Sequence, residues 1–109
     1  MKLVIGGANQ GKREYAKERY GESENFIADF HLTVLDLVKR GVDPVEYISG
    51  RMAEYADKVI ICDDIFCGIV PEDPLARKWR ESLGRALAII AKESDEVIRV
   101  FCGLGMKIK

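Results

Sequence analysis

Residues 3 to 13, Leu-Val-Ile-Gly-Gly-Ala-Asn-Gln-Gly-Lys-Arg, constrain this chain more than any other stretch. An apolar, β-branched run ends in glycine and a charged, helix-forming segment follows at once, so the backbone must turn sharply from strand to helix. Gly6, Gly11 and Lys12 satisfy the first seven positions of G-x-x-x-x-G-K-[ST], the phosphate-binding loop. Glycines let such a loop wrap closely round a polyphosphate and aim its N–H groups inward at a helix N-terminus. The lysine sets a point charge near the β and γ phosphates. On this reading Gly6, Gly7, Ala8, Asn9, Gln10, Gly11, Lys12 and Arg13 form the nucleotide-binding segment. The eighth position departs from the motif. A Ser or Thr hydroxyl there holds magnesium, whereas Arg13 cannot ligate a metal and can only pair with phosphate oxygens. A glycine-rich turn kept for packing alone gives the same pattern and stands as the alternative.

The remaining chain alternates strands with helices. A strand over Lys2–Ile5 leads through the loop to a helix from Gly11 to about Tyr20, stopped by Gly21, with a turn at Ser23-Glu24-Asn25. Phe26-Ile27-Ala28 reads as a short second strand. Thr33 and Asp36 have capping-box-like spacing, which predicts a helix through Val38 ended by Gly41. Asp43-Pro44 opens another helix, with Glu46 completing a box and Val45, Ile48, Met52 and Tyr55 on one buried face. Lys58–Cys62 is a strand of the kind buried on both sides of a parallel sheet. Asp73-Pro74 opens the longest helix, to about Lys92, with a core stripe of Leu75, Trp79, Leu83, Leu87 and Ile90 and with Arg77, Arg80 and Arg85 on other faces. Glu96–Cys102 and Met106–Lys109 are the last strands. The order predicts a single α/β domain over residues 1–109: three layers of the P-loop type, with a mainly parallel sheet of about five strands flanked by helices.

Composition narrows the partners. With 17 Lys and Arg against 18 Asp and Glu, the net charge of −1 offers no broad basic face, so nucleic acid is not expected as a partner. No apolar run approaches the roughly 18 residues of a membrane span, and the first residues lack a signal peptide's apolar core and cleavage site. Cys62, Cys67 and Cys102 are odd in number and form no C-x-x-C pair, which suggests buried, reduced thiols, little prospect of zinc, and a cytoplasmic protein.

A parallel sheet binds ligands beyond the carboxyl ends of its strands. That rule brings Cys62-Asp63-Asp64 to the same edge as the loop. An apolar strand ending in acid is the form of a Walker B element, so Asp63 and Asp64 are the candidate magnesium ligands, against the plain alternative of a solvated acidic turn. Asp29 ends a strand on the same edge and is a substitute for them; Arg13, if it faces the phosphates, supplies part of the metal's charge. Lys12 and Asp64 are the candidate catalytic residues. His31, the single histidine, follows the second strand at a helix start, where a structural role outweighs a catalytic one. Trp79 fits helix packing better than base stacking.

Gly-Ile-Val-Pro-Glu-Asp-Pro-Leu-Ala-Arg (Gly68–Arg77), Gly84-Arg85, Asp95-Glu96-Val97 and Gly103-Leu-Gly-Met-Lys-Ile-Lys109 form a distinctive series. It resembles the C-terminal half of the bifunctional adenosylcobinamide kinase/adenosylcobinamide-phosphate guanylyltransferases of cobalamin biosynthesis. Gly6-Gly7-Ala8 with Gly11-Lys12 resembles that family's phosphate loop, and Phe26-Ile27-Ala28 its next strand, so the likeness covers residues 1 to 29 and 58 to 109. Family loops carry Ser where this chain has Gln10 and Arg13; Asp63-Asp64 replaces an Asn-Glu pair, and Leu87 stands where relatives tend to have Asn. Residues 30 to 57 replace a longer stretch that in relatives holds the guanylylated histidine, and His31 lies too close to the second strand to match it.

The resemblance implies a nucleotide-binding kinase that moves phosphate from ATP or GTP, with magnesium, to a corrinoid hydroxyl, with the guanylyltransferase half absent. It also implies a homo-oligomer. The competing class is a non-catalytic nucleotide sensor or oligomeric scaffold with a degenerate phosphate loop, favoured by the missing hydroxyl and the shortened middle.

Overall fold

Two runs buried on both sides, Leu3-Val4 and Ile60-Ile61-Cys62, make the centre of the sheet. The computed structural model describes residues 1–22, 25–65 and 71–109. In chain order the elements are β1 (Lys2–Gly6), α1 (Lys12–Tyr20), β2 (Phe26–Ile27), α2 (Phe30–Lys39), α3 (Pro44–Ser49), α4 (Met52–Tyr55), β3 (Val59–Asp63), α5 (Pro74–Glu93), β4 (Glu96–Phe101) and β5 (Leu104–Lys107). The sheet runs β2-β3-β1-β4-β5. Its first four strands are parallel, and β5 returns antiparallel to β4.

Successive side chains of a strand face opposite ways, so each central strand feeds two cores. Leu3, Ile60, Cys62 and Val97 join Phe30, Val34 and Val38 of α2, Ile48 of α3 and Leu83, Ala86, Leu87 and Ile90 of α5. Val4, Val59, Ile61, Ile98 and Val100 meet Ala16 of α1 on the other side. The result is the expected three-layer α/β domain of the P-loop type. The chain leaves β1 for α1 on one face and leaves β3 for α5 on the other. The ends of those neighbouring strands therefore open a crevice, where open α/β sheets bind ligands.

Asp43 and Asp73 cap their helices as expected, each carboxylate accepting an N–H two residues on, from Val45 at 3.0 Å and from Leu75 at 3.2 Å. Other elements differ from expectation. Helix α2 begins at Phe30, not near Thr33, and its N-cap Asp29 is left-handed (φ 53°) with no side-chain cap. Burying Phe30 and His31 outweighs the capping signal. The helix expected across Val45 to Tyr55 divides at Gly50 into α3 and α4; only Ile48 of its four-residue stripe is fully buried, with Val45, Met52 and Tyr55 half-buried. Leu75 is 39% exposed and outside the core stripe of α5. The last strand starts at Leu104, not Met106, because Cys102 (φ 52°) and Gly103 (φ 74°) make a tight turn that pairs Phe101 directly with Leu104. Cys102 on that turn is exposed, against the expectation of buried thiols; Cys62 is buried. Cys67 and Gly68-Ile69-Val70 of the family-like series, with Ser23 and Glu24 of the expected turn, lie outside the described residues.

Candidate functional site

Sheet register sets Gly6 beside Asp63 on one side and Val100 on the other. A Cβ at Gly6 would fall 2.4 Å from the carbonyl oxygen of Val100, so only glycine lets β1 end this close to β4. The loop then curls through two left-handed residues, Asn9 (φ 58°) and Gly11 (φ 85°), before α1 begins at Lys12. Gln10 fixes the loop from behind: its side-chain oxygen accepts the Cys102 N–H at 2.7 Å, and its carbonyl accepts the Gly103 N–H at 2.8 Å. The turn between β4 and β5 thus braces the loop.

Lys12 is 8% exposed and folds back across the loop. Its Nζ donates to the Gly7 carbonyl at 2.7 Å and pairs with Asp63 Oδ1 at 2.6 Å. Arg13, next on the helix, reaches Asp29 at the end of β2; both side chains are about half exposed. His31 is buried behind Asp63, its Nδ1 accepting the Asp63 N–H at 3.1 Å. A cavity of about 570 Å³ opens here, lined by residues 8–14 with Asp29, His31, Ile61 and Asp63.

The expected site residues therefore separate. Residues 8 to 13, Lys12 among them, line the cavity, while Gly6 and Gly7 shape the turn behind it. Asp63 faces the cavity; Asp64 is not in its lining and pairs with Arg99 at 3.4 Å, its N–H donating to the Gly6 carbonyl. Asp29 and His31, ranked below the acid pair on sequence, both belong to the lining. Neither the Arg13–Asp29 pair nor the Asp63–His31 contact leaves a mark in local sequence. Both follow from β2 lying next to β3, so strand order was the signal needed to find them. Cys62 is no nucleophile: burial, reinforced by the Asp63 charge, pushes its thiol up to about 12.

Magnesium, which the loop motif implies, does not fit this donor set. Position 13 carries a guanidinium instead of a hydroxyl, Asp63 is held by Lys12, and Asp64 is held by Arg99. Among the described residues no three His, Cys, Asp or Glu side chains converge as a metal cage, and no buried side-chain polar atom lacks a partner. Chemically, the arrangement sets two cations, each paired with a carboxylate, along a glycine-rich loop at the cavity wall, where an entering anion meets Lys12 and Arg13.

The family described as cobinamide kinase / cobinamide phosphate guanyltransferase matches residues 42–108. The bifunctional adenosylcobalamin biosynthesis protein CobU of Salmonella typhimurium is 43% identical over 54 residues, which is 50% of this chain and 30% of that protein. Its Escherichia coli K12 counterpart is 41% identical over 54 residues, with the same shares. The match thus spans 30% of the length of these curated relatives. The family match begins at Val42, after the loop, so the loop's role rests on its own motif and geometry.

Proposed function

The chain belongs to the cobinamide kinase / cobinamide phosphate guanyltransferase family, and from that premise we propose that it binds ATP or GTP at the Gly6–Lys12 loop and transfers phosphate to a corrinoid hydroxyl. One observation carries the proposal: Lys12 is folded over the loop, fixed by Gly7 and Asp63, at the wall of a cavity large enough for a polyphosphate. In this reading the loop amides of residues 8 to 13 hold the β-phosphate, and Lys12 offsets charge developing on the γ-phosphate. Asp63 receives the acceptor's hydroxyl proton. The sequence put Asp64 first for that role, but of that pair it is Asp63 that lines the cavity. No step is routed through magnesium. Guanylyl transfer is not part of the proposal, since the Nδ1 of His31 is committed to the Asp63 backbone and the ring is buried.

The second reading, a nucleotide sensor without catalysis, is favoured by Arg13. A guanidinium at the cavity rim pairs with phosphate oxygens without a metal. Calorimetric titration with ATP and with GTP, each with and without magnesium, on wild type and Lys12→Ala, tests both. Lys12-dependent binding supports the phosphate site and opens a transfer assay with cobinamide. Binding indifferent to magnesium together with no transfer selects the sensor. No binding by folded protein overturns both and leaves the loop as a structural turn. Homo-oligomerisation is also proposed, through the exposed face of the β4–β5 hairpin considered below.

A further inference from the structure

We propose that His31 is a positioning residue for the phosphate loop, holding the Asp63 backbone beside its ring so that Asp63 holds Lys12. This rests on the reading of the loop as a phosphate site. The Nδ1 of His31 accepts the Asp63 N–H at 3.1 Å. An accepting Nδ1 carries no proton, so the neutral ring bears its hydrogen on Nε2. That atom lies 3.5 Å from Asp63 Oδ2. The other carboxylate oxygen, Oδ1, is 2.6 Å from Lys12 Nζ. The imidazole thus fixes the backbone, and lies beside the carboxylate, of the residue that holds the loop lysine.

His31 is itself held. Trp79 of α5 donates its Nε1–H to the His31 carbonyl at 2.7 Å, and the two rings lie side by side, 6.5 Å apart and inclined by 30°. Phe30, the preceding residue, is fully buried in the core. A continuous chain of contacts therefore runs from α5 through the first turn of α2 and the end of β3 to the loop lysine. A histidine serving only the core needs one partner for its polar edge. This one commits Nδ1 to the Asp63 backbone, sets Nε2 3.5 Å from the Asp63 carboxylate, and lines the cavity as well. Without the ring, the Asp63 N–H loses its acceptor, and the end of β3 that carries the Asp63–Lys12 pair is less firmly set. Lys12 then no longer meets a phosphate in a preset position.

The test is a double-mutant cycle on ATP affinity, using wild type, His31→Ala, Lys12→Ala and the double variant. His31→Ala is expected to weaken ATP binding on the order of tenfold, the effect of one buried hydrogen bond. In the Lys12→Ala background it should change nothing further. Equal losses in both backgrounds would mean that His31 acts on the fold at large, and no loss in either would mean that it does not act on the loop; both overturn the proposal. His31→Asn places a carbonyl where Nδ1 stood, and is expected to restore affinity to within about threefold of wild type. Should the alanine variant fail to fold, His31→Leu, which keeps bulk at the site and offers no acceptor, takes its place in the cycle. If wild type binds no ATP or GTP, the phosphate-site reading fails, and the Lys12 ammonium decides the positioning claim. Its proton–nitrogen NMR signal should be visible in wild type and lost by exchange in the His31 variant; a signal that persists there overturns the claim.

Discussion

Position 13 shows how a single residue redirects a site whose backbone is otherwise in place. The loop has its glycines, its left-handed turns and its lysine, yet Arg13 stands where the motif uses a hydroxyl. Its pairing with Asp29 is half exposed on both sides and is therefore weak, because water screens it. An incoming phosphate, which a guanidinium grips through two parallel bonds, displaces Asp29 readily. Arg13→Ser should thus cost little stability but change the metal response. ATP binding is expected to be indifferent to magnesium in wild type and to tighten on the order of tenfold with magnesium in the variant. Titrations of both proteins in chelator and in excess magnesium measure this; an identical response in the two would sink the argument from the missing hydroxyl. The loop itself was readable from its spacing, and so were the two cations. Their partners were not: Asp29 lies 16 residues from Arg13 and His31 lies 32 from Asp63, distances that close only when β2 lies beside β3.

Helix α1 illustrates what holds an element whose own packing is thin. Lys12 and Ala16 are its only buried residues, so tertiary pins must keep it on the sheet. The main pin is Glu96 at the start of β4. One of its oxygens accepts from Arg19 at 2.6 Å and from the Tyr20 hydroxyl, and the other accepts from Arg19 at 2.8 Å. The Arg19 and Tyr20 hydrogen bonds pull the Glu96 carboxyl from its ordinary 4.5 down to about 2. Burial, with Glu96 alongside, raises the Tyr20 phenol to about 12, so the pin is intact at neutral pH. A folded-state value below the unfolded one means the unfolded chain takes up the proton first. The stability from this pin is therefore complete above about pH 4.5 and lost as pH falls toward about 2. Melting wild type and Glu96→Gln across that window should show a gap at neutral pH that closes with acid; curves that stay parallel would remove Glu96 from the acid limb. At this scale the sequence was largely legible, since β-branched runs, Asp-Pro starts and glycine stops mark most elements. The exceptions share one cause. Where burial competed with a local signal, as at Phe30 and His31 against the Thr33 cap, burial won.

At the scale of the whole molecule, the α/β order and the two-sided burial of β3 could be read from alternation and apolar runs, whereas the order of strands in the sheet could not. Hydrophobic pattern says that a strand is covered, not which neighbour covers it. The same limit hid an exposed apolar part of the surface. β5 is an edge strand with all four residues exposed, and register places Leu104 opposite Phe101 and Met106 opposite Arg99. Alternation therefore sets Phe101, Leu104, Met106 and Ile108 on one side, and they are 61%, 72%, 52% and 61% exposed. An apolar edge with free backbone groups is a template for pairing, which proteins ordinarily blunt with charge or cover. Its ever-present complement is the same edge of a second copy, since two such strands pair antiparallel about a twofold axis and each brings its own apolar stripe. Light scattering coupled to gel filtration should find wild type self-associated. Leu104→Lys with Met106→Lys should shift it to a monomer with unchanged melting behaviour, because neither side chain contributes to the core. A monomeric wild type would refute self-association through this face. The brace from Gln10 to Cys102 and Gly103 adds a further consequence, for it ties this hairpin to the Gly6–Lys12 loop. If association orders the turn, the wild-type oligomer should bind ATP more tightly than the lysine double variant, although neither substitution touches the cavity.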